Sequence, residues 1–256
     1  MSSKLFGLIP RKTLDLPDKA TNRILNDPFL SELFTDELNL IRSNSNQPLI
    51  GLIIEIGAAG GNTKIVWPEV ITTDVRASIG IDRVMNAEKI DAPDNSVSLI
   101  FGMDALHHIR NPEAHFCELQ RVLKVQSCAI YIEPNWNFFS QFCFRILLKY
   151  LHPEPYDIKQ KNWMLTDPDP MMGNQSQAYN IFVRDINLFQ DKYPDLHVEI
   201  LEPLKGLSFL LSGGVHTRLP IPSVILIWLY RKEKSSRRWI NSFGLGRVIK
   251  LTKVAK

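Results

Sequence analysis

The sequence predicts an α/β fold in which a parallel sheet carries helices on both faces. Three observations predict it. Between Leu49 and Pro134 short apolar runs alternate with helix-like stretches, the order in which a parallel sheet is wound. The first run ends in Glu55 and breaks into Gly57, Ala58, Ala59, Gly60 and Gly61, the form of a buried parallel strand delivering its carboxyl end to a ligand. A chain of 256 residues, 45% of them apolar, is the natural size of one medium α/β domain with an elaboration.

The elements follow in order. Residues 1–48 are polar and helix-prone, and Asp27-Pro28 starts PFLSELFTDELNLI, whose apolar residues recur at helical spacing. After a loop from Ser43 to Pro48, the first strand covers about Leu49 to Ile56. The glycines let the backbone turn tightly and approach a bound molecule. Asn62, Thr63 and Lys64 can open a helix whose free N–H groups face the same ligand. Val70 to Val75 reads as a second strand and contains Asp74. A third apolar stretch, Ile79 to Met85, comes only a few residues later, whereas parallel neighbours usually need a crossover of a dozen or more. Either this strand is short and reached by an irregular loop, or the crossover helix has been lost. Val97 to Met103 is then a strand, Asn111 to Leu123 a helix, and Ala129 to Pro134 a strand.

After Pro134 the character changes. Residues 135–195 read as a substrate lid or insertion, with Phe138, Phe139, Phe142, Phe144 and Trp163 as apolar cover and a long proline-punctuated loop from His152 to Tyr179. Arg184 to Tyr193 reads as a helix, Leu196 to Leu201 as a strand, and the alternating tail Arg247 to Val254 as an edge strand. Ser223 to Lys232 is very apolar and runs into RKEKSSRR. That stretch reads as a helix covering the sheet, and its basic flank also permits contact with an anionic membrane surface.

Composition narrows the partners. A net charge of +3 without a basic stripe argues against a nucleic-acid partner. Cys117, Cys128 and Cys143 form no CxxC pair, which suits unpaired thiols in a reducing compartment. Cysteine and histidine spacing points to no metal site. The amino terminus lacks the apolar core of a signal peptide, and no run approaches the roughly 20 apolar residues of a spanning helix. The chain therefore reads as cytoplasmic, with association at the inner face of the membrane as a further option.

The glycine loop discriminates between ligands. Counting from Gly57, a dinucleotide loop needs glycines where Ala59 and Asn62 stand, and there is no GK[ST] of a P-loop. Glu55-Ile56-Gly57-Ala58-Ala59-Gly60-Gly61 instead resembles the E-x-G-x-G-x-G loop of class I S-adenosylmethionine-dependent methyltransferases, with Ala59 replacing the middle glycine. The alanine methyl is tolerated there if its backbone keeps φ negative. Asp74, 19 positions after Glu55, stands where that family places the acid that accepts both ribose hydroxyls. Next comes MNAEKIDAPDNSVSLIFGMDALHHIRNPEAHFCELQRVLK, similar to the family segment D-A-E-x-L-P-F-P-D-x-S-F-D followed by a strand and L-H-H. Asn86 replaces the usual Asp.

This resemblance to the type 11 methyltransferases implies a Rossmann-like, mostly parallel seven-stranded sheet with an antiparallel edge strand and a lid after the fifth strand. It implies one domain over residues 1–256: an N-terminal helical segment (1–48), a cofactor-binding core (49–134), the lid (135–195) and C-terminal strands with a helical insertion (196–256). S-adenosylmethionine is the implied cofactor. Its implied contacts are Glu55, Gly57, Ala59, Gly61 and Asp74, with Asn86 and Ala87 at adenine and Gly102 and Met103 along the methionine part. His107 and His108, after the fourth strand, are candidate bases for removing an acceptor's proton. IEPxW, HxEP and LLSGG segments resemble a bacterial subgroup found among enzymes of cell-surface polysaccharide biosynthesis, and Glu133, Trp136, His152 and Glu154 become candidate substrate contacts. Glu133 reads equally as a buried strand end. The implied activity is O-methylation of a sugar or other hydroxyl of a glycan precursor, free or lipid-linked. Methylation of a lipid, quinone or other small molecule, and a non-catalytic cofactor-binding subunit, remain as alternatives.

Overall fold

The computed structural model of the chain describes residues 19–147, 154–167, 169, 171–215 and 217–255. The first 18 residues of the expected helical segment and His152 lie outside the described residues.

Two helices open it, α1 (Lys19–Asn26) and α2 (Pro28–Asn44). Asp27 caps α2, its Oδ1 accepting from Phe29 N at 3.0 Å and Leu30 N at 3.4 Å, with Pro28 in the first turn, where a missing N–H costs nothing. Seven strands follow: β1 (Leu52–Glu55), β2 (Ile71–Asp74), β3 (Arg83–Val84), β4 (Val97–Met103), β5 (Leu123–Pro134), β6 (Leu196–Leu204) and β7 (Gly246–Lys253). They form a single sheet in the order β3-β2-β1-β4-β5-β7-β6. The pairs from β3 through β5 are parallel, and β7 runs antiparallel to both β5 and β6. The antiparallel tail strand thus sits one place in from the edge, which β6 occupies.

Alternation along β1 sends side chains to opposite faces. Ile54 and Ile56 join a core with Phe116 and Leu119 of α4 (Pro112–Val122) and Phe189 of α7 (Ile186–Lys192). Ile53 joins the other core, where Leu38 and Ile41 of α2 meet Trp67, Leu99 and Phe101. Trp163 and Phe182 also belong to the first core, so much of 135–195 packs into the body of the domain. Trp163, expected in an apolar lid, is 2% exposed, whereas Phe138 is 89% exposed.

The crossovers near β2 are cut short. The helix expected from Asn62 is one turn, α3 (Thr63–Val66), and the strand expected from Ile79 to Met85 shrinks to two residues. Residues 75–82 join β2 to β3 without a helix. Direct backbone packing fills the space: a Cβ on Gly61 (φ +69°) would lie 1.8 Å from the Gly80 carbonyl oxygen. Only glycines permit that approach.

The chain closes with α8 (Leu207–Ser212), α9 (Ser223–Ser235) and α10 (Arg237–Phe243) before β7. Leu226 and Tyr230 of α9 bury against Phe29, Leu30 and Leu33 of α2. Among the described residues no helix is long and apolar enough to cross a membrane.

Candidate active site

The carboxyl ends of β1, β2 and β4 open on a cavity of about 840 Å³. This is where an open parallel sheet binds ligands. Glu55, Gly57, Ala59, Asp74, Asn86, Ala87 and Met103 line it, as do His107, His108 and Glu154. Gly61, Gly102, Glu133 and Trp136 do not. Gly61 packs on Gly80, while a Cβ on Gly102 would meet Ile56 Cγ1 and Ala105 Cβ at 3.0 and 3.1 Å. Trp136 lies under the Arg247 guanidinium, 5.3 Å from its ring.

Glu55 ends β1 fully inside the protein. Thr63 Oγ1 donates to its Oε1 at 2.9 Å, and its buried Oε2 has no partner. Burial pushes the carboxyl up to about 8, with the nearby Asp74 charge acting in the same direction and the Thr63 hydrogen bond against both. Ala59 departs from expectation: its φ is +48°, in the left-handed region, which costs a non-glycine residue about 1–2 kcal/mol. Asp74 holds it there, its Oδ2 accepting from Ala59 N at 3.0 Å while Oδ1 accepts from Arg76 N at 2.9 Å. A carboxylate has about four lone-pair sites, so both oxygens keep capacity for further donors. Asn86 Oδ1 closes a turn on Glu88 N at 2.9 Å, and the Ala87 carbonyl accepts from His115 Nδ1 at 2.8 Å.

A charged group on the same wall was not legible in the sequence. Lys205 Nζ donates to Asp104 Oδ2 at 2.6 Å and lies 3.5 Å from Glu37 Oε1. Burial would lower the Lys205 ammonium, yet Asp104 and Glu37 hold it above its usual value. Burial pushes Glu37 up to about 7 against the pull of Lys205. The Asp104 side chain is half exposed, and Lys205 and the histidines hold its carboxyl below its usual range. Asp104 directly follows the Gly102-Met103 pair, which was the available signal; Lys205 comes from the far end of β6 and Glu37 from α2.

The histidine pair is tied to two carboxylates. Glu133, at the end of β5, accepts from Ala105 N at 3.0 Å and Leu106 N at 2.7 Å through Oε1, and from His107 Nδ1 at 2.6 Å through Oε2. It fixes the histidine turn from behind the cavity wall. His107 Nε2 lies 3.4 Å from Glu154 Oε2. Burial disfavours the imidazolium, but Glu133 and Glu154 outweigh it and raise His107 to about 10. Held between two carboxylates, His107 is poorly suited to the role of the expected base. His108 moves the other way: burial and the His107 charge push it down to about 4. Its Nε2 lies 3.9 Å from Glu154 Oε2, and its buried Nδ1 has no partner. Gln175 Nε2 donates to Glu154 Oε2 at 2.6 Å. Burial raises Glu154, but the two histidines and Gln175 keep it below its usual value.

Apolar side chains rim the opening. Leu147, Met171, Leu211 and Leu219 line the cavity and are 39–47% exposed.

A family model described as a methyltransferase domain matches residues 66–130. No curated protein matches the chain. Among solved structures, geranyl diphosphate C-methyltransferase from Streptomyces coelicolor A3(2), in complex with Mg2+, geranyl-S-thiolodiphosphate and S-adenosylhomocysteine, is 12% identical. The match covers 96% of this chain and 85% of that one at a TM-score of 0.50. A geranyl diphosphate methyltransferase in complex with S-adenosylmethionine is also 12% identical, with 96% of each chain covered and a TM-score of 0.50. Phosphoethanolamine N-methyltransferase 2 from Haemonchus contortus is 12% identical over 96% of this chain and 62% of that one, at a TM-score of 0.46. At such identities the likeness concerns the fold. A seven-stranded sheet with one antiparallel strand and a cavity at its carboxyl ends is the Rossmann-like class I methyltransferase fold, and residues 66–130 carry the match to a methyltransferase domain.

Proposed function

We propose that the chain is an S-adenosylmethionine-dependent methyltransferase acting on a hydroxyl of an amphiphilic acceptor, a sugar of a lipid-linked surface-glycan precursor. The observation that carries the cofactor reading is Glu55: a buried carboxylate oxygen without a partner stands at a cavity wall, and such a group calls for a donor or a cation. The cofactor has an ammonium and a sulfonium to meet it, and Asp74 on the same wall has lone pairs for the ribose hydroxyls. Ala59 and its neighbours put backbone against whatever lies between the two acids.

S-adenosylmethionine, when bound, supplies a methyl group on a sulfonium, an excellent leaving group. The protein's work is then alignment and exclusion of water. Gly57 and Ala59 hold the loop, with Asp74 as its latch. Glu133 clamps His107, which in turn lies against Glu154. Glu154 and neutral His108 are the groups at the cavity wall able to accept a proton from an acceptor hydroxyl.

The apolar rim supports an acceptor with a hydrocarbon part, and α9 carries exposed apolar residues of its own. Val224, Ile225 and Trp228 are 52–70% exposed and precede Arg231, Lys232 and Lys234 on the same helix. Two of these cations are paired, Arg231 with Glu32 and Lys234 with Asp36, so apolar contact with a membrane surface outweighs charge in this reading. Release of S-adenosylhomocysteine separates the options. Turnover is expected with a polyprenyl-phosphate-linked monosaccharide and not with the free sugar. Turnover with a quinol alone moves the assignment to the small-molecule alternative. Cofactor binding without turnover on any of the three leaves a non-catalytic subunit.

A further inference from the structure

We propose that His107, His108 and Glu154 form a binding site for a divalent transition-metal ion of the zinc type at the cavity wall. One ligand atom from each of the three residues lies within 4.8 Å of the others. Glu154 Oε2 stands 3.4 Å from His107 Nε2 and 3.9 Å from His108 Nε2. Ligand atoms about 2.0–2.1 Å from a tetrahedral ion stand about 3.3 Å apart, so the first spacing already fits and the second needs a contraction of about 0.6 Å. Two imidazoles and one carboxylate are a donor set of catalytic zinc sites, in which a fourth position stays open. Here that position faces the cavity, because all three residues line it.

The surroundings are those of a metal site. A metal-ligating histidine almost always donates its other ring N–H to a carboxylate or carbonyl, which fixes its tautomer. Glu133 Oε2 takes that bond from His107 Nδ1 at 2.6 Å, and Glu133 is itself anchored by two backbone N–H groups. Gln175 steadies Glu154. Imidazole donors favour zinc-type ions over Mg2+ or Ca2+, which prefer oxygen. The two histidines are adjacent in a short turn, and their ring centroids lie 4.2 Å apart.

The ion's role rests on the methyltransferase reading, whereas its binding does not. With the ion bound, His108 and Glu154 are its ligands and no longer take the proton, which an acceptor hydroxyl at the open position would lose to water through the cavity mouth more readily than a free one. The oxygen lone pair then forms the bond to the methyl carbon as the C–S bond breaks, its electron pair staying on the now neutral sulfur.

Calorimetric titration of the chelator-treated full chain with Zn2+ tests the site. About one ion per chain is expected to bind, and Mg2+ is not. His108→Ala and Glu154→Gln are expected to remove the stoichiometric binding, and Glu133→Gln to weaken it about 10–100-fold. Thermal unfolding of each variant in the absence of metal identifies any that fails to fold, and only the folded ones are compared with wild type. No binding to the folded wild-type chain, or binding unchanged in folded His108→Ala and Glu154→Gln, overturns the proposal. Titration of the same samples with S-adenosylmethionine distinguishes failure of this site from failure of the cofactor reading.

Discussion

Glu55 makes cofactor affinity depend on pH in a way that can be worked out from the structure. Burial leaves its carboxyl near 8 in the free protein, so at about pH 6 the group is protonated. Meeting a cationic cofactor requires it to ionise. Two pH units below that value, ionisation costs about 3 kcal/mol, or roughly a hundredfold in affinity. Affinity is therefore expected to rise about tenfold per pH unit from pH 6 to 8 and to level off above. Calorimetry in buffers of different ionisation enthalpy should show about one proton released at pH 6 and none at pH 9. Glu55→Gln, isosteric and uncharged, should flatten the profile, while Glu37→Gln, altering the other raised carboxyl on the wall, should leave most of the slope. Equal slopes in wild type and Glu55→Gln would refute the reasoning. Folding responds with its own sign. The native state holds a proton on Glu55 up to about pH 8, whereas the unfolded chain releases it near 4.3. This group's contribution to the free protein's stability therefore falls as pH rises between those values, and Glu55→Gln removes that fall.

Three further outcomes follow from packing and charge. Gly61→Ala drives a Cβ to 1.8 Å from the Gly80 carbonyl at φ +69°; loss of cofactor binding and a lower unfolding midpoint are expected, and a midpoint equal to wild type would show that the two loops can part. Phe116→Ala removes a ring packed edge-on against Phe189 at 5.0 Å and Tyr193 at 5.3 Å; a loss of about 3–5 kcal/mol is expected by denaturant unfolding. Lys205→Met leaves Asp104 and Glu37 without their cation. Of these only the Lys205–Glu37 pair is buried on both sides; breaking such a pair costs about 3–5 kcal/mol, and restoring part of that stability with Glu37→Gln on the same background would show the coupling.

What the sequence revealed and what it hid divide along a physical line. The strand–glycine–helix start and Asp74 were legible because their chemistry is local: apolar run, carboxylate, flexible turn. Asn86, Ala87 and Met103 came from the resemblance to a family segment, and the fold brings them to the cavity wall. Gly61 and Gly102 pack against neighbouring chain instead, because a glycine serves close packing as readily as ligand approach, and only the neighbour decides. The state of the histidines was hidden because it depends on burial and on Glu133 and Glu154, which are 26 and 47 residues from His107. The same separation concealed the metal-ligand geometry, since spacing rules see neighbours in sequence. The sign of φ at Ala59 was also out of reach, because a hydrogen bond to Asp74 sets it.

The central claim is that Glu55 and Asp74 frame a site for S-adenosylmethionine, and one titration tests it most directly. S-adenosylmethionine titrated into the full chain at pH 8 is expected to bind saturably at about one per chain, and Asp74→Ala, folded by thermal unfolding, is expected to lose at least tenfold in affinity. Absence of binding by the wild-type chain at millimolar cofactor, or equal affinity in folded Asp74→Ala, would contradict the account.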